Sequence, residues 1–207
     1  MRWKWCFLVI GLLLSFAAHA ETGLSDADID KLAAQPGTEV TKSQEGDTQI
    51  TEIRRAGVVV TIRRHGDKAE TIGEDRSGHG AVLCRWKLSI SVRAGLDLCF
   101  PKQYPEYRED LDHAIAAMND FIVANSLAPI TKGEVEAEVA ALDERARKQR
   151  DEARTQLGPE ELQRKCGASI FGRRIAEFAQ TTTREQRRKE LSDLLSVPRP
   201  PVTAPCI

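Results

Sequence analysis

The residues best equipped for chemistry in this chain sit in one short run, Asp75-Arg76-Ser77-Gly78-His79. It gathers a carboxylate, a hydroxyl and an imidazole within five positions. A hydrolase uses such groups as orienting acid, nucleophile and general base. Working triads are assembled from distant segments, so a set this compact reads first as polar loop composition. Asp75 and His79 are the catalytic candidates of this chain on that basis. His65 falls in a hairpin turn, and His113 stands beside Asp112 on a helix. The spacings of a zinc protease, a serine-hydrolase elbow, a phosphate-cradling glycine loop or a calcium loop do not occur. Cys-x-x-Cys and cysteine-histidine clusters are missing too, so no metal or other cofactor is expected.

The sulfurs invite a different reading. Of five cysteines, Cys6 lies in an apolar leader, leaving Cys84, Cys99, Cys166 and Cys206. An even number in an exported chain reads as two structural disulfides. Four cysteines allow three pairings, of which neighbour pairing, Cys84 with Cys99 and Cys166 with Cys206, is favoured. Strand parity (below) points Cys99 away from Cys84 and weighs against that pairing unless a bulge intervenes.

Export is read from the first twenty residues. Arg2 and Lys4 precede an apolar run from Cys6 to Ala18, and Ala18-His19-Ala20 supplies a small-x-small cleavage site. The run is about 13 residues, against roughly 20 for a membrane-spanning helix. Residues 1–20 are therefore expected to be removed, with a mature chain starting at Glu21 and no transmembrane segment after cleavage. Loss of Arg2 and Lys4 leaves 28 basic residues against 31 acidic ones, a net charge of −3. A nucleic-acid binder needs positive surface to neutralise phosphates, so that class is set aside. Arginine outnumbers lysine two to one, alanine is abundant and there is no Asn-x-Ser/Thr acceptor. The expected location is periplasmic or secreted, in a bacterium.

The elements that would position these residues divide the mature chain. Ser25 caps a short helix with Asp28 three residues on, and Pro36-Gly37 stops it. Glu39 to Asp47 is polar and reads as loop. Gln49 to Arg55 and Val58 to Arg64 read as strands around Ala56-Gly57, with a third at Ala69 to Ile72. Val82, Cys84, Trp86, Leu88, Ile90 and Val92 alternate with more polar neighbours, the clearest period-2 run in the chain. It reads as a strand, paired across Ala94-Gly95 with Leu96 to Phe100.

From Pro105 the period becomes helical, with a stripe from Leu111 to Ile122. Thr131-Lys132-Gly133-Glu134 is a capping box for a second helix, which Gly158-Pro159 breaks. A third runs through Leu162, Cys166, Ile170 and Phe178, antiparallel to the second. Thr183 to Gln186 cap a fourth. The expected fold class is α+β, with a small antiparallel sheet first and a helical half with an antiparallel hairpin after it. Its regions are 21–103 (short helix and sheet), 104–196 (helical) and 197–207, a Pro-rich tail carrying Cys206.

Asp143 to Arg154 holds nine charged residues in twelve and only a thin apolar seam. The hairpin of about Thr131 to Ala179 is thus expected to project, with Arg147 and Arg150 on its interaction face. The function this implies is a non-enzymatic exported accessory, adaptor or binding protein whose partner is another envelope protein. The alternative is a periplasmic hydrolase acting on envelope material.

Overall fold

The computed structural model describes residues 24–206. The segment read as an export signal lies outside the described residues. The fold is α+β, a four-stranded antiparallel sheet followed by helices. The chain divides into two compact units. One holds residues 24–55 with Val59–Gly73, the other Ala56–Val58 with residues 74–206.

The first unit is a meander carrying one helix. Strands β1 (Thr38–Glu45), β2 (Thr48–Arg55), β3 (Val58–His65) and β4 (Lys68–Asp75) lie in sequence order. Each link is a two-residue turn, which needs positive φ to match the twist of its strands. Gly46 and Gly66 provide it at φ 58° and 56°. Ala56 adopts φ 48° despite its Cβ, followed by Gly57 at 79°. Ile53 and Ile62 bury one face of the sheet, and Ile29 and Leu32 of helix α1 (Asp26–Ala33) are buried as well. Burying each such side chain stabilises by about 1.5–3 kcal/mol. Ser25 and Asp28 form the expected capping box. Arg64 fastens α1 by donating to Asp26 and to the Leu24 carbonyl.

Strand β1 corrects the reading of Glu39 to Asp47 as loop. Its sequence, Thr-Glu-Val-Thr-Lys-Ser-Gln-Glu, has almost no apolar alternation because it is an edge strand with most residues exposed. Register, from Thr38 opposite Arg55 to Glu45 opposite Thr48, holds it in place.

The second unit is helical, and here the period-2 reading fails. Residues 82–99 form helix α2 (Val82–Cys99), so the sheet ends at Asp75 and the expected boundary near residue 103 moves back. Val82, Trp86 and Ile90 are four apart, a spacing that shares a face on a strand and nearly so on a helix. Buried Ser89 and Gly95, with Leu88 exposed, fit only the helix. Helix α2 is buried along most of its girth, which erases the usual amphipathic period. Helix α3 (Pro105–Asn125) packs on it, and the Trp86 indole donates to buried Asn119 at 2.6 Å.

Helix α4 (Lys132–Ala168) begins with the predicted Thr131/Glu134 capping box. It is interrupted at Gly158, whose φ of 71° and ψ of 165° lie in a region that is essentially glycine's alone. A second break at Ser169, not foreseen, separates helix α5 (Ile170–Thr181) from it. Helix α6 (Arg184–Leu195) follows, capped by Thr183. Ala153 and Leu157, on the turnward end of α4 expected to project, instead pack against the cluster of Leu96, Phe100, Leu162 and Ile175. That cluster gives the end of α4 an apolar seat which its own thin stripe does not reveal.

Candidate functional site

The catalytic candidates find their partners near the C-terminal end of the chain. Residues 197–206 run extended along the helical unit, where the Asp75 amide donates to the Ala204 carbonyl at 2.7 Å and the Leu83 amide to Val202 at 3.0 Å. Arg199 on this tail is fully buried beside Asp75. Its Nε donates to Asp75 Oδ2 at 2.6 Å, its Nη1 to the carbonyls of Leu194 and Val197, and its Nη2 to that of Gly80. The other carboxylate oxygen accepts from the amide and hydroxyl of Ser77. Three donors, two from Ser77 and one from Arg199, thus hold the Asp75 carboxylate. A carboxylate held this way neutralises an arginine and orders a loop.

His79 is placed apart from that pair. Its Nδ1 lies 3.0 Å from the Asp193 carbonyl and 3.3 Å from Ser196 Oγ. The Ser196 hydroxyl also donates to the Asp193 carbonyl, at 2.8 Å. Both groups therefore cap the open C-terminal end of α6, where carbonyls lack helical partners. An imidazole and a hydroxyl meet here beside one backbone oxygen, and the Ser196 hydroxyl donates to it. General-base chemistry would need the hydroxyl proton directed at the imidazole.

The disulfides join Cys84 to Cys206 and Cys99 to Cys166. This corrects the neighbour pairing favoured above. With residues 84 and 99 on one helix, fifteen residues at 1.5 Å each put them about 22 Å apart, far beyond bridging reach. One bridge anchors the tail to the start of α2, and the other ties the end of α2 to the last turn of α4. Among the described residues, no group of three His, Cys, Asp or Glu side chains converges as a metal site. No helix among them is long and apolar enough to cross a membrane.

Of the two expected interaction residues, Arg147 is well exposed and pairs with Glu144, while Arg150 is largely covered and lies 3.4 Å from Asp151. They stand on the charged face of α4, beside a shallow depression lined by Glu144, Arg147, Lys148, Asp151, Glu152 and Thr155. Where α4 turns inward, Arg93 reaches across from α2 to Asp112 and Asp143. Burial works against its charge, but the hydrogen bonds it donates to those carboxylates win and raise its pKa.

A second feature was not anticipated. An apolar cleft of about 470 Å³ opens between α2, α3, α5 and α6, floored by residues such as Leu88, Val92, Leu111, Met118 and Phe171. Leu88 and Phe171 are 38% and 36% exposed, unusual for large apolar side chains in this unit. Its inner wall is packed tightly. A Cβ added at Gly95 would come within 2.6 Å of Ile175 and 2.7 Å of Phe171, so only glycine lets α5 approach α2 this closely. Guanidinium groups line the rim, and Arg187 pairs with buried Asp110 at 2.5 Å.

Tyr107 lines the cleft beneath Arg187, whose guanidinium lies 5.2 Å from the ring centre. Burial pushes its hydroxyl up to about 12, against the pull of Arg85 and Arg187. The folded state thus holds this proton more tightly than the unfolded chain, where tyrosine titrates near 10. The resulting stability is complete below pH 10 and is lost as pH rises toward 12. Urea unfolding between pH 8 and 11.5 should show the decline, and Tyr107→Phe should flatten it. An unchanged slope in that variant would assign the loss to other groups.

The molecule is therefore an α+β protein with two disulfides, a clasped tail, a charged helix face and an apolar cleft. No known family matches the chain, and neither a curated protein nor a solved structure matches it.

Proposed function

We propose that this chain is an exported, non-enzymatic accessory or binding protein that works by contacting another protein of the bacterial envelope. The observation that carries this reading is the outer face of α4. Its charges between Glu144 and Glu152, apart from the largely covered Arg150, face solvent and pair mainly along their own helix, as Arg147 does with Glu144. The segment is seated from behind by Ala153 and Leu157, which pack against the core cluster. A charged, exposed face suits electrostatically steered association with a protein partner. Two disulfides fit an oxidising compartment, and together with the leader sequence they support the periplasm. A net negative mature charge supports a protein partner over nucleic acid.

The test is the double reversal Arg147→Glu/Arg150→Glu in the full chain. Mild crosslinking in periplasm followed by pulldown is expected to recover the partner from the wild type, with recovery falling about tenfold in the variant and in high salt. Circular dichroism should show an unchanged fold. Unchanged recovery in the folded variant would overturn the reading. The alternative, a hydrolase acting on envelope material, needs His79 and Asp75 at one centre. His79→Ala with full partner recovery but lost biological activity would favour it.

A further inference from the structure

The cleft between α2, α3, α5 and α6 has the makings of a ligand site that is independent of the α4 face. Its volume of about 470 Å³ lies within the range that small ligands fill, and its floor is apolar. Among the side chains that line it, guanidiniums outnumber carboxylates. Four guanidiniums, of Arg85, Arg174, Arg187 and Arg188, face three carboxylates, of Asp110, Glu177 and Glu190. Arg187 takes Asp110 at 2.5 Å, Arg85 takes Glu190 at 2.8 Å and Arg174 takes Glu177 at 3.1 Å. Arg188 reaches Asp110 only at 4.0 Å, and its side chain is 58% exposed. The nearby Glu106 and Glu109 do not line the cleft and are engaged by Arg184 and Arg187, and Arg184 also lies 3.0 Å from Asp110. One guanidinium at the mouth thus lacks a close carboxylate of its own.

We propose that this cleft binds a single-chain amphiphile with one carboxylate, a free fatty acid of medium length. Its acyl chain lies over Leu88, Val92, Ala114 and Phe171, and its head group pairs with Arg188. A carboxylate head group matches the exposed Arg188 guanidinium, whose contact with Asp110 is at 4.0 Å and which offers two parallel donors. The alkyl chain matches an apolar floor that water covers poorly. Length follows from α3. Leu111 and Met118 mark the floor along seven residues, roughly 10 Å at 1.5 Å per residue, which suits a medium acyl chain rather than a bulky polycyclic ligand.

Isothermal titration of the disulfide-intact protein tests this, using laurate, dodecanol and dodecyltrimethylammonium below their micelle concentrations. The expected order is laurate, then dodecanol, then the cation. Lengthening the probe from octanoate to decanoate to laurate should tighten binding roughly two- to fourfold per methylene while the added carbons stay within the cleft. Arg188→Gln should weaken laurate about tenfold and leave dodecanol unchanged. Ala114→Phe, which fills the cleft without changing charge, should abolish binding of all three. If that variant fails to fold, Leu88→Gln replaces it, with the same direction expected. Equal affinity for the three head groups, laurate binding that survives both cleft substitutions, or no laurate binding at all would overturn the proposal.

Discussion

Arg199→Ala is expected to lower folding stability by about 3–5 kcal/mol, the usual cost of removing one partner from a buried ion pair. The guanidinium is fully buried, bonded to Asp75 and to three backbone carbonyls, with its carbon 5.7 Å from the centre of the Phe121 ring. Truncation leaves the Asp75 charge and those carbonyls facing a cavity. Asp75→Asn should also destabilise, since it strips the charge that Arg199 neutralises. The double variant Asp75→Asn/Arg199→Met should cost clearly less than the two single changes added together, because the groups share one interaction. Urea unfolding curves supply all three values. A cost below about 1 kcal/mol for Arg199→Ala would show that Asp75 is not needed for structure and would reopen it as a candidate acid.

Cys84→Ser/Cys206→Ser is expected to cost about 4 kcal/mol, because the bridge spans 122 residues and long closed loops restrict the unfolded chain most. The loss should also be local in character. The tail carries the carbonyls that accept from the Asp75 and Leu83 amides, so those two amides should exchange with solvent faster in the variant. Amides in the middle of α3 should slow or quicken only with global stability. Arg199 would still hold the middle of the tail, so complete release of residues 197–206 would mean that the ion pair depends on the disulfide. Unaltered exchange at Asp75 and Leu83 would mean that the backbone contacts hold without it.

Legibility in this sequence tracked the reach of the interactions involved. Capping boxes at Ser25, Thr131 and Thr183 were readable because the donor and acceptor lie three residues apart. The break at Gly158 was readable from Gly-Pro, and α3 from its apolar stripe. Strand β1 was missed for want of apolar alternation. A signal for it existed, since Gly46-Asp47, Ala56-Gly57 and Gly66-Asp67 recur every ten residues and mark a meander of equal strands. Helix α2 was misread because a helix buried on most sides has no solvent face to set a period. The cleft was hidden for a related reason. Its residues come from four helices, and only their packing places Leu88 beside Phe171 and leaves Arg188 short of a carboxylate.

By itself the sequence determined the α+β class, the order of sheet before helices and the use of cysteine for structural bridges. These follow from local periodicity, turn chemistry and composition, which act over a few residues. Tertiary structure alone decided which cysteines pair, because that depends on distances between segments up to 122 residues apart. It also gave Asp75 its partner Arg199 and set His79 against the end of α6. A carboxylate or an imidazole has no chemistry of its own until its neighbours are known. Those neighbours came from the last turn of α6 and the tail, more than a hundred residues farther along the chain.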